Sequence, residues 1–381
     1  MRQARPFLCA AAALLGLAAW AQPAPAAKVT PPPKKPAIQL AILLDTSNSM
    51  DGLIDQARTQ LWRVVNEFAT ARRDGKAPEL QVALFEYGND GLPASAGYIR
   101  LVLPLTTDLD KVSEELFALK TNGGEEYCGQ VIREATGRLA WSASNDDLKV
   151  MFIAGNEPFT QGPVDFKASC RAAVAKGILV NTIFCGSVEE GVQTHWKEGA
   201  ELADGRYMSI DQNYKPPEIA APQDMEITRL GTELNKTYVA YGATGGAGSA
   251  RQEAQDVNAA AAAPSANVQR QVAKSQAFYS NAAWDLVDAK KEGAVDLDKV
   301  DPKDLPPEMQ KMTPAERKAY VEKKAEERAR LQAQIRKLDE ERKKFVAAEM
   351  KKQAATATNT LDAAVVSAVR DAAKRKGYAF Q

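Results

Sequence analysis

Histidine is nearly absent: the chain of 381 residues has one, His195. A Ser-His-Asp triad or a histidine-bearing zinc protease site would rest on that side chain alone. It lies in Gln193-Thr194-His195-Trp196-Lys197, without metal ligands close by, so a surface or packing role is expected. Cysteine is scarce too, with four residues and no CxxC pair, which argues against thioredoxin-like or zinc chemistry. Charge is balanced, 49 basic side chains against 49 acidic, and nothing points to a nucleic-acid partner. Past the N-terminus no run approaches the roughly 18 apolar residues of a membrane-spanning helix. No internal repeat of fixed period is present. Gly242, Gly245, Gly246 and Gly248 do not follow a strand pattern, so they are not a dinucleotide or phosphate loop.

The N-terminus is expected to be a secretory signal. Arg2 and Arg5 form its charged region, Phe7 to Trp20 its apolar region, and Ala19-Trp20-Ala21 a small-x-small cleavage site before Gln22. Cleavage near Ala21 removes two arginines and no acid, taking the net charge from zero to −2. The mature chain is then expected in the periplasm or outside the cell, with no transmembrane segment. Residues 22–36, with Pro31-Pro32-Pro33-Lys34-Lys35-Pro36, form a Pro-rich tether.

From 37 to about 212, strand and helix patterns alternate. The strands are expected at Gln39–Leu44, Leu80–Tyr87, Tyr98–Leu103, Lys149–Ala154, Leu179–Phe184 and Arg206–Ile210. Several are continuous apolar runs such as Val150-Met151-Phe152-Ile153, as in a parallel sheet covered on both faces. The fold class is therefore α/β, with a doubly wound, mostly parallel sheet, and ligands belong at the carboxyl ends of its strands. The first strand ends in Asp45-Thr46-Ser47-Asn48-Ser49. One carboxylate and two hydroxyls on a turn at that edge suit a hard cation, Mg²⁺, Mn²⁺ or Ca²⁺, better than Zn²⁺.

That Asp-x-Ser-x-Ser pattern, followed by Met50-Asp51-Gly52 and an amphipathic helix, resembles the metal-ion-dependent adhesion site of a von Willebrand factor A (vWA) domain. The resemblance covers about 37–212. It implies a divalent cation ligated by Ser47 and Ser49, with Asp45 ligating through water or orienting that shell, and binding rather than turnover. Two loops depart from the family pattern. Where many members have Gly-Gly-Thr, this chain reads Gly123-Gly124-Glu125-Glu126. Glu125 either takes the threonine's place and adds a negative charge, or acts with Glu126 on the positive N-terminus of the next helix. Where many have Thr-Asp-Gly, it reads Ala154-Gly155-Asn156-Glu157. There Asn156 offers a neutral oxygen and Glu157 a charged one.

Three cysteines follow the signal. Cys128 opens a helix near the metal-bearing edge, Cys185 ends a strand there, and Cys170 lies mid-helix. Both a disulfide (Cys128–Cys185 or Cys170–Cys185) and three inert buried thiols are open. Cys128 is the redox candidate, because a helix N-terminus lowers a thiol pKa.

The vWA domain with its connection is expected over 37–241, a flexible Gly/Ala linker over 242–265, and a helical, coiled-coil-like region over 266–381. Thr313-Pro314-Ala315-Glu316 is a capping box opening a long helix. Val321, Leu331, Ile335, Leu338 and Phe345 give that helix a narrow apolar seam, interrupted by Arg328 and Arg342. The expected function is an exported, non-enzymatic binding module. Its cation takes an acidic side chain of a protein partner, and its helical arm serves docking or self-association. The other reading is a metal-poor scaffold whose C-terminal helices act in envelope assembly. A hydrolase using Glu125 and Glu126 lacks a nucleophile–base pair.

Overall fold

The computed structural model describes residues 35–215, 217–352 and 360–380. The expected signal peptide and nearly all of the expected tether lie outside them. Residues 35–381 form one compact unit. In chain order the elements are β1 (Ala37–Asp45), α1 (Asp51–Phe68), β2 (Ala71–Arg72), β3 (Glu79–Tyr87), β4 (Ile99–Thr106), α2 (Leu109–Ala118), α3 (Cys128–Arg138), β5 (Leu148–Gly155), α4 (Phe166–Ala175), β6 (Leu179–Cys185), α5 (Val188–Gln193), α6 (Trp196–Leu202) and β7 (Tyr207–Ile210). There follow α7 (Asp224–Asn235), α8 (Gly245–Ala262), α9 (Pro264–Lys274), α10 (Leu286–Glu292), α11 (Pro314–Lys352), α12 (Leu361–Arg375) and β8 (Ala379–Phe380).

Six strands form the sheet in the order β4-β3-β1-β5-β6-β7, all pairs parallel except β3 with β4. The chain builds outward from β1 through β3 to β4, then starts again on the other flank with β5. The switch point therefore lies between β1 and β5, where a crevice opens at the carboxyl edge. Alternate residues of β1 serve opposite faces. Ile38, Leu40 and Leu44 pack with α1, α2 and α12, whereas Ala41 and Leu43 pack with α3 and α4. Helices cover both faces, so both sets are apolar.

The last helix belongs to the sheet. Leu361, Val365, Ala368, Val369 and Ala372 of α12 enter the same core as β1, β5 and α1. Beyond it β8 pairs with β2, and the Tyr378 hydroxyl donates to the Ala37 carbonyl at 3.1 Å. The expected boundary at 241 is thus corrected: α12 and β8 close the sheet domain, and α7–α11 are inserted between β7 and that closing helix.

The expected flexible linker over 242–265 is also corrected, because most of it is helix α8. Gly248 fits against Trp284, where an added Cβ would lie 2.3 Å from the indole. Gln252 and Gln255 are buried, and Gln255 accepts from Ser113 of α2 at 2.8 Å. Helices α9 and α10 follow, with an irregular segment between them. The capping box is present: Thr313 N donates to Glu316 Oε2 at 2.7 Å, and Glu316 N to Thr313 Oγ1 at 3.3 Å.

The seam of α11 from Val321 to Leu338 is covered within the chain. Leu331 and Ile335 pack on α7 and α9, and Val321 packs near α10. The two interrupting arginines are ion-pair anchors. Arg342 holds Asp224 at 2.6 Å, and buried Arg328 holds Asp285 at 2.7 Å and Asp288 at 2.9 Å. A second buried cluster joins insert to sheet domain: Arg270 of α9 meets Asp110 of α2 at 2.5 Å and lies 4.4 Å over the Trp62 ring. Breaking a buried pair leaves its partner charge without compensation. Arg328→Ala is therefore expected to cost about 3–5 kcal/mol in urea unfolding, since it strands two carboxylates.

Candidate metal centre

The first strand ends at Asp45, which is fully buried beside β3 and β5. Its Oδ1 accepts from Ser47 N at 2.8 Å. Its Oδ2 is buried and has no hydrogen-bond partner. The turn that follows is held from several sides. Thr46 N donates to the Tyr87 carbonyl at 2.9 Å, Asn122 N to the Thr46 carbonyl at 2.9 Å, and the Gln212 amide to the Ser49 carbonyl at 2.9 Å. Ser47 Oγ and Ser49 Oγ lie 3.2 Å apart. Asn156 Nδ2 stands 3.2 Å from Ser49 Oγ, so the loop after β5 reaches the serine turn.

The second loop brings a carboxylate, and it is Glu126 rather than Glu125. Glu125 is exposed, while Glu126 is buried just before α3 with its amide donating to the Gln161 side chain at 2.6 Å. Gly88 explains how the loop closes. An added Cβ there would lie 2.8 Å from both Asp45 Oδ1 and Glu126 Cγ, and one at Gly124 would lie 2.5 Å from the Gly88 carbonyl. At Gly155 an added Cβ would stand 2.6 Å from Tyr87 Oη and 3.0 Å from Asp45 Oδ2. Three glycines thus let the loops close around the two carboxylates. Gly88 and Tyr87 were not foreseen from the sequence; the glycine just past a strand end, at φ +80°, was the available signal.

The electrostatics follow from burial. Asp45 is pushed up to about 7 by desolvation, partly relieved by hydrogen bonds from Ser47 and raised again by Glu157. Glu126 is pushed up to about 8, first by burial and then by the charges of Asp45 and Glu157, with the Ser47 hydroxyl opposing. Glu157 is half-buried, and its carbonyl accepts from the Trp196 indole at 2.8 Å. Asp45, Ser47, Ser49, Glu126 and Asn156 therefore converge, with Glu157 nearby, and Glu125 does not join them. The donors are all oxygen and two are mutually repelling carboxylates, one with an orphaned atom. Such a set fits a hard divalent cation, which would satisfy that atom and offset both charges. Among the described residues no cluster of three or more His, Cys, Asp or Glu side chains is placed to hold a metal, so any cation here depends on the serine hydroxyls.

Of the two readings open for the cysteines, the described residues hold three buried free thiols, Cys128, Cys170 and Cys185, rather than a disulfide. Burial pushes the Cys170 thiol up to about 12 and holds Cys128 and Cys185 high as well, overriding the helix N-terminus. Cys128 Sγ lies 3.9 Å from the Tyr87 hydroxyl. His195 caps α6 at the surface in the left-handed region (φ +70°), bonded to Glu198 at 2.8 Å. No helix among the described residues is long and apolar enough to cross a membrane.

No curated protein matches the chain. Among solved structures it is similar to the conserved hypothetical protein BatB from Bacteroides thetaiotaomicron, at 17% identity over 46% of this chain and 91% of that one, with a TM-score of 0.36. It is similar to an aerotolerance-related membrane protein from Bacteroides fragilis at 16% identity, covering 46% and 94%, with a TM-score of 0.32. The SpRpn10 VWA domain follows at 14% identity, 46% and 88% coverage and a TM-score of 0.35. The family model of the von Willebrand factor type A domain matches residues 39–200. With the strand order and the Asp45–Ser49 turn at its switch point, that segment of the chain is a von Willebrand factor type A domain, carried with a helical C-terminal region.

Proposed function

We propose that this protein is an exported binding module that engages a protein partner through a divalent cation. Asp45, Ser47 and Ser49 would hold the ion, with Glu126 in the place first expected of Glu125 and Asn156 beside Ser49. The observation that carries the reading is the buried Asp45 carboxylate, whose Oδ2 is unpartnered and whose Oδ1 lies beside the buried Glu126 across Gly88. Such a pair is costly without a counter-charge. The bound ion supplies a Lewis-acid position toward which an acidic side chain of the partner is drawn. Glu126 adds a negative charge inside the site, which favours retention of the ion and moderates its pull on a partner carboxylate. Domains of this family are typically interaction modules rather than enzymes, in keeping with a site of oxygen ligands that has no nucleophile–base pair.

The C-terminal helices are not a free arm in this reading. The α11 seam from Val321 to Leu338 is spent on α7, α9 and α10, so self-association would have to use another part of the surface. Export rests on the charge and apolar pattern of residues 1–21. The test is capture of partners from envelope extract on immobilised protein, with and without chelator, beside Asp45→Ala. Partners retained only with metal and only by the wild type support the proposal; equal capture in all arms removes it.

A further inference from the structure

A cleft of about 330 Å³ lies at the seam between the sheet domain and the helical insert, away from the cation site. Its walls come from the end of α1, the turn before β3, the residues after α9, and the faces of α10 and α11. Three cations line it, Arg72, Lys291 and Arg336, and no carboxylate does. None of the three makes an ion pair among the described residues, although ion pairs are common elsewhere among them. Nearby acids are engaged: Glu67 by Arg370, and Asp288 by Arg328.

Both guanidiniums are held in place by neutral groups. Arg72 Nη1 donates to the Ala69 and Ala71 carbonyls at 2.7 and 2.8 Å, past the end of α1. Arg336 Nη1 donates to the Ser275 carbonyl at 2.6 Å, past the end of α9. Helix C-termini carry only about half a negative charge each, so these contacts orient the arginines without neutralising them. Capping accounts for two of the cations; Lys291, exposed in the last turn of α10, makes no ion pair or hydrogen bond among the described residues and is free to meet a ligand. The Phe68 and Phe278 side chains and Pro78 give the cleft an apolar wall.

We propose that this cleft binds a phosphate group, carried on a small ligand with an apolar part. Two pre-oriented guanidiniums and one ammonium match the charge and acceptor geometry of a phosphate dianion. The apolar wall receives the substituent. A ligand seated there bridges α1 to α10 and α11, and so fastens the insert to the sheet domain. The inference is independent of the cation site.

The experiment is calorimetric titration of the full chain with inorganic phosphate and with phenyl phosphate at fixed ionic strength, with chloride as reference. One saturable site per chain is expected, tighter for phenyl phosphate. Lys291→Glu and Arg336→Gln should each weaken it by about tenfold or more, since each removes a charged hydrogen-bond donor. Lys311→Glu, outside the cleft, should not. Lys291 is exposed, so its variant keeps the fold, as thermal melting in chloride will verify. Sedimentation with phosphatidylglycerol vesicles separates the sources: Lys291-dependent retention assigns the phosphate to a lipid headgroup, and its absence beside phenyl phosphate binding assigns it to a free ligand. No saturable binding of either phosphate, or equal binding by wild type and Lys291→Glu, overturns the proposal.

Discussion

A chain cut after Thr360 is expected to lose the cooperative fold of its sheet domain, although the family match ends at residue 200. The deletion strips Leu361, Val365, Ala368, Val369 and Ala372 from the core they share with β1 and β5, and Tyr378 with them. Fully burying a Val or Leu side chain is worth about 1.5–3 kcal/mol, so the sum approaches the whole stability of a typical domain, about 5–15 kcal/mol. The cut also frees the Gln56 and Gln60 side chains, which accept from Leu361 N and Asp362 N at 2.9 and 2.8 Å. Thermal unfolding followed by near-ultraviolet circular dichroism should show no sharp transition in the truncated protein. A native-like melting curve would show that α12 is not the domain's closing helix. One consequence is practical: removing the C-terminal region cannot tell a scaffold from a metal-dependent module, because it takes part of the vWA fold away.

Metal-free protein is expected to lose stability as pH rises from about 4 to about 8, and a divalent cation should restore it. Asp45 sits near 7 in the fold against an ordinary carboxyl value near 4, and Glu126 near 8. Between those values the folded chain holds protons that the unfolded chain has released, so folding is favoured at low pH and penalised once the buried carboxyls ionise. A tenfold difference in proton affinity is worth about 1.4 kcal/mol, so ionising Asp45 inside the fold costs about 4 kcal/mol on its own. A cation reverses the penalty by pairing with the ionised forms. Urea midpoints at pH 5 and pH 8, each in chelator and in Mg²⁺, read this directly. The chelated midpoint should fall at pH 8, and the Mg²⁺ effect should be large at pH 8 and small at pH 5. A chelated midpoint independent of pH would remove the buried-carboxylate account.

The sheet was legible because its strands are short apolar runs bounded by turn residues, and all six main strands fall where those runs lie. The Asp45–Ser49 turn was legible for the same reason: its chemistry directly follows the strand that positions it. What escaped depends on contacts distant in sequence. Glu125 and Glu126 are neighbours of one type, and only the packing of Gly124 on Gly88 decides which turns inward. Helix α8 hides behind glycines of poor helix propensity, one of which, Gly248, serves the approach to Trp284. An amphipathic pattern over 361–375 announces a buried face without naming what it covers. Here it covers a sheet whose last strand ended at Ile210. Of the two cysteine readings left open, the buried free thiols are what the structure holds, and burial outweighs the dipole of a helix N-terminus at Cys128.

The central claim is that Asp45, Ser47, Ser49 and Glu126 bind a divalent cation. The most direct measurement is calorimetric titration of chelator-treated protein with Mn²⁺ and Mg²⁺, for wild type, Asp45→Ala, Glu126→Gln and Glu125→Gln. The structure predicts one ion per chain in the wild type and in Glu125→Gln, binding weakened at least about tenfold in Glu126→Gln, and none in Asp45→Ala. Absence of binding in the wild type, or undiminished binding in Asp45→Ala, would contradict it.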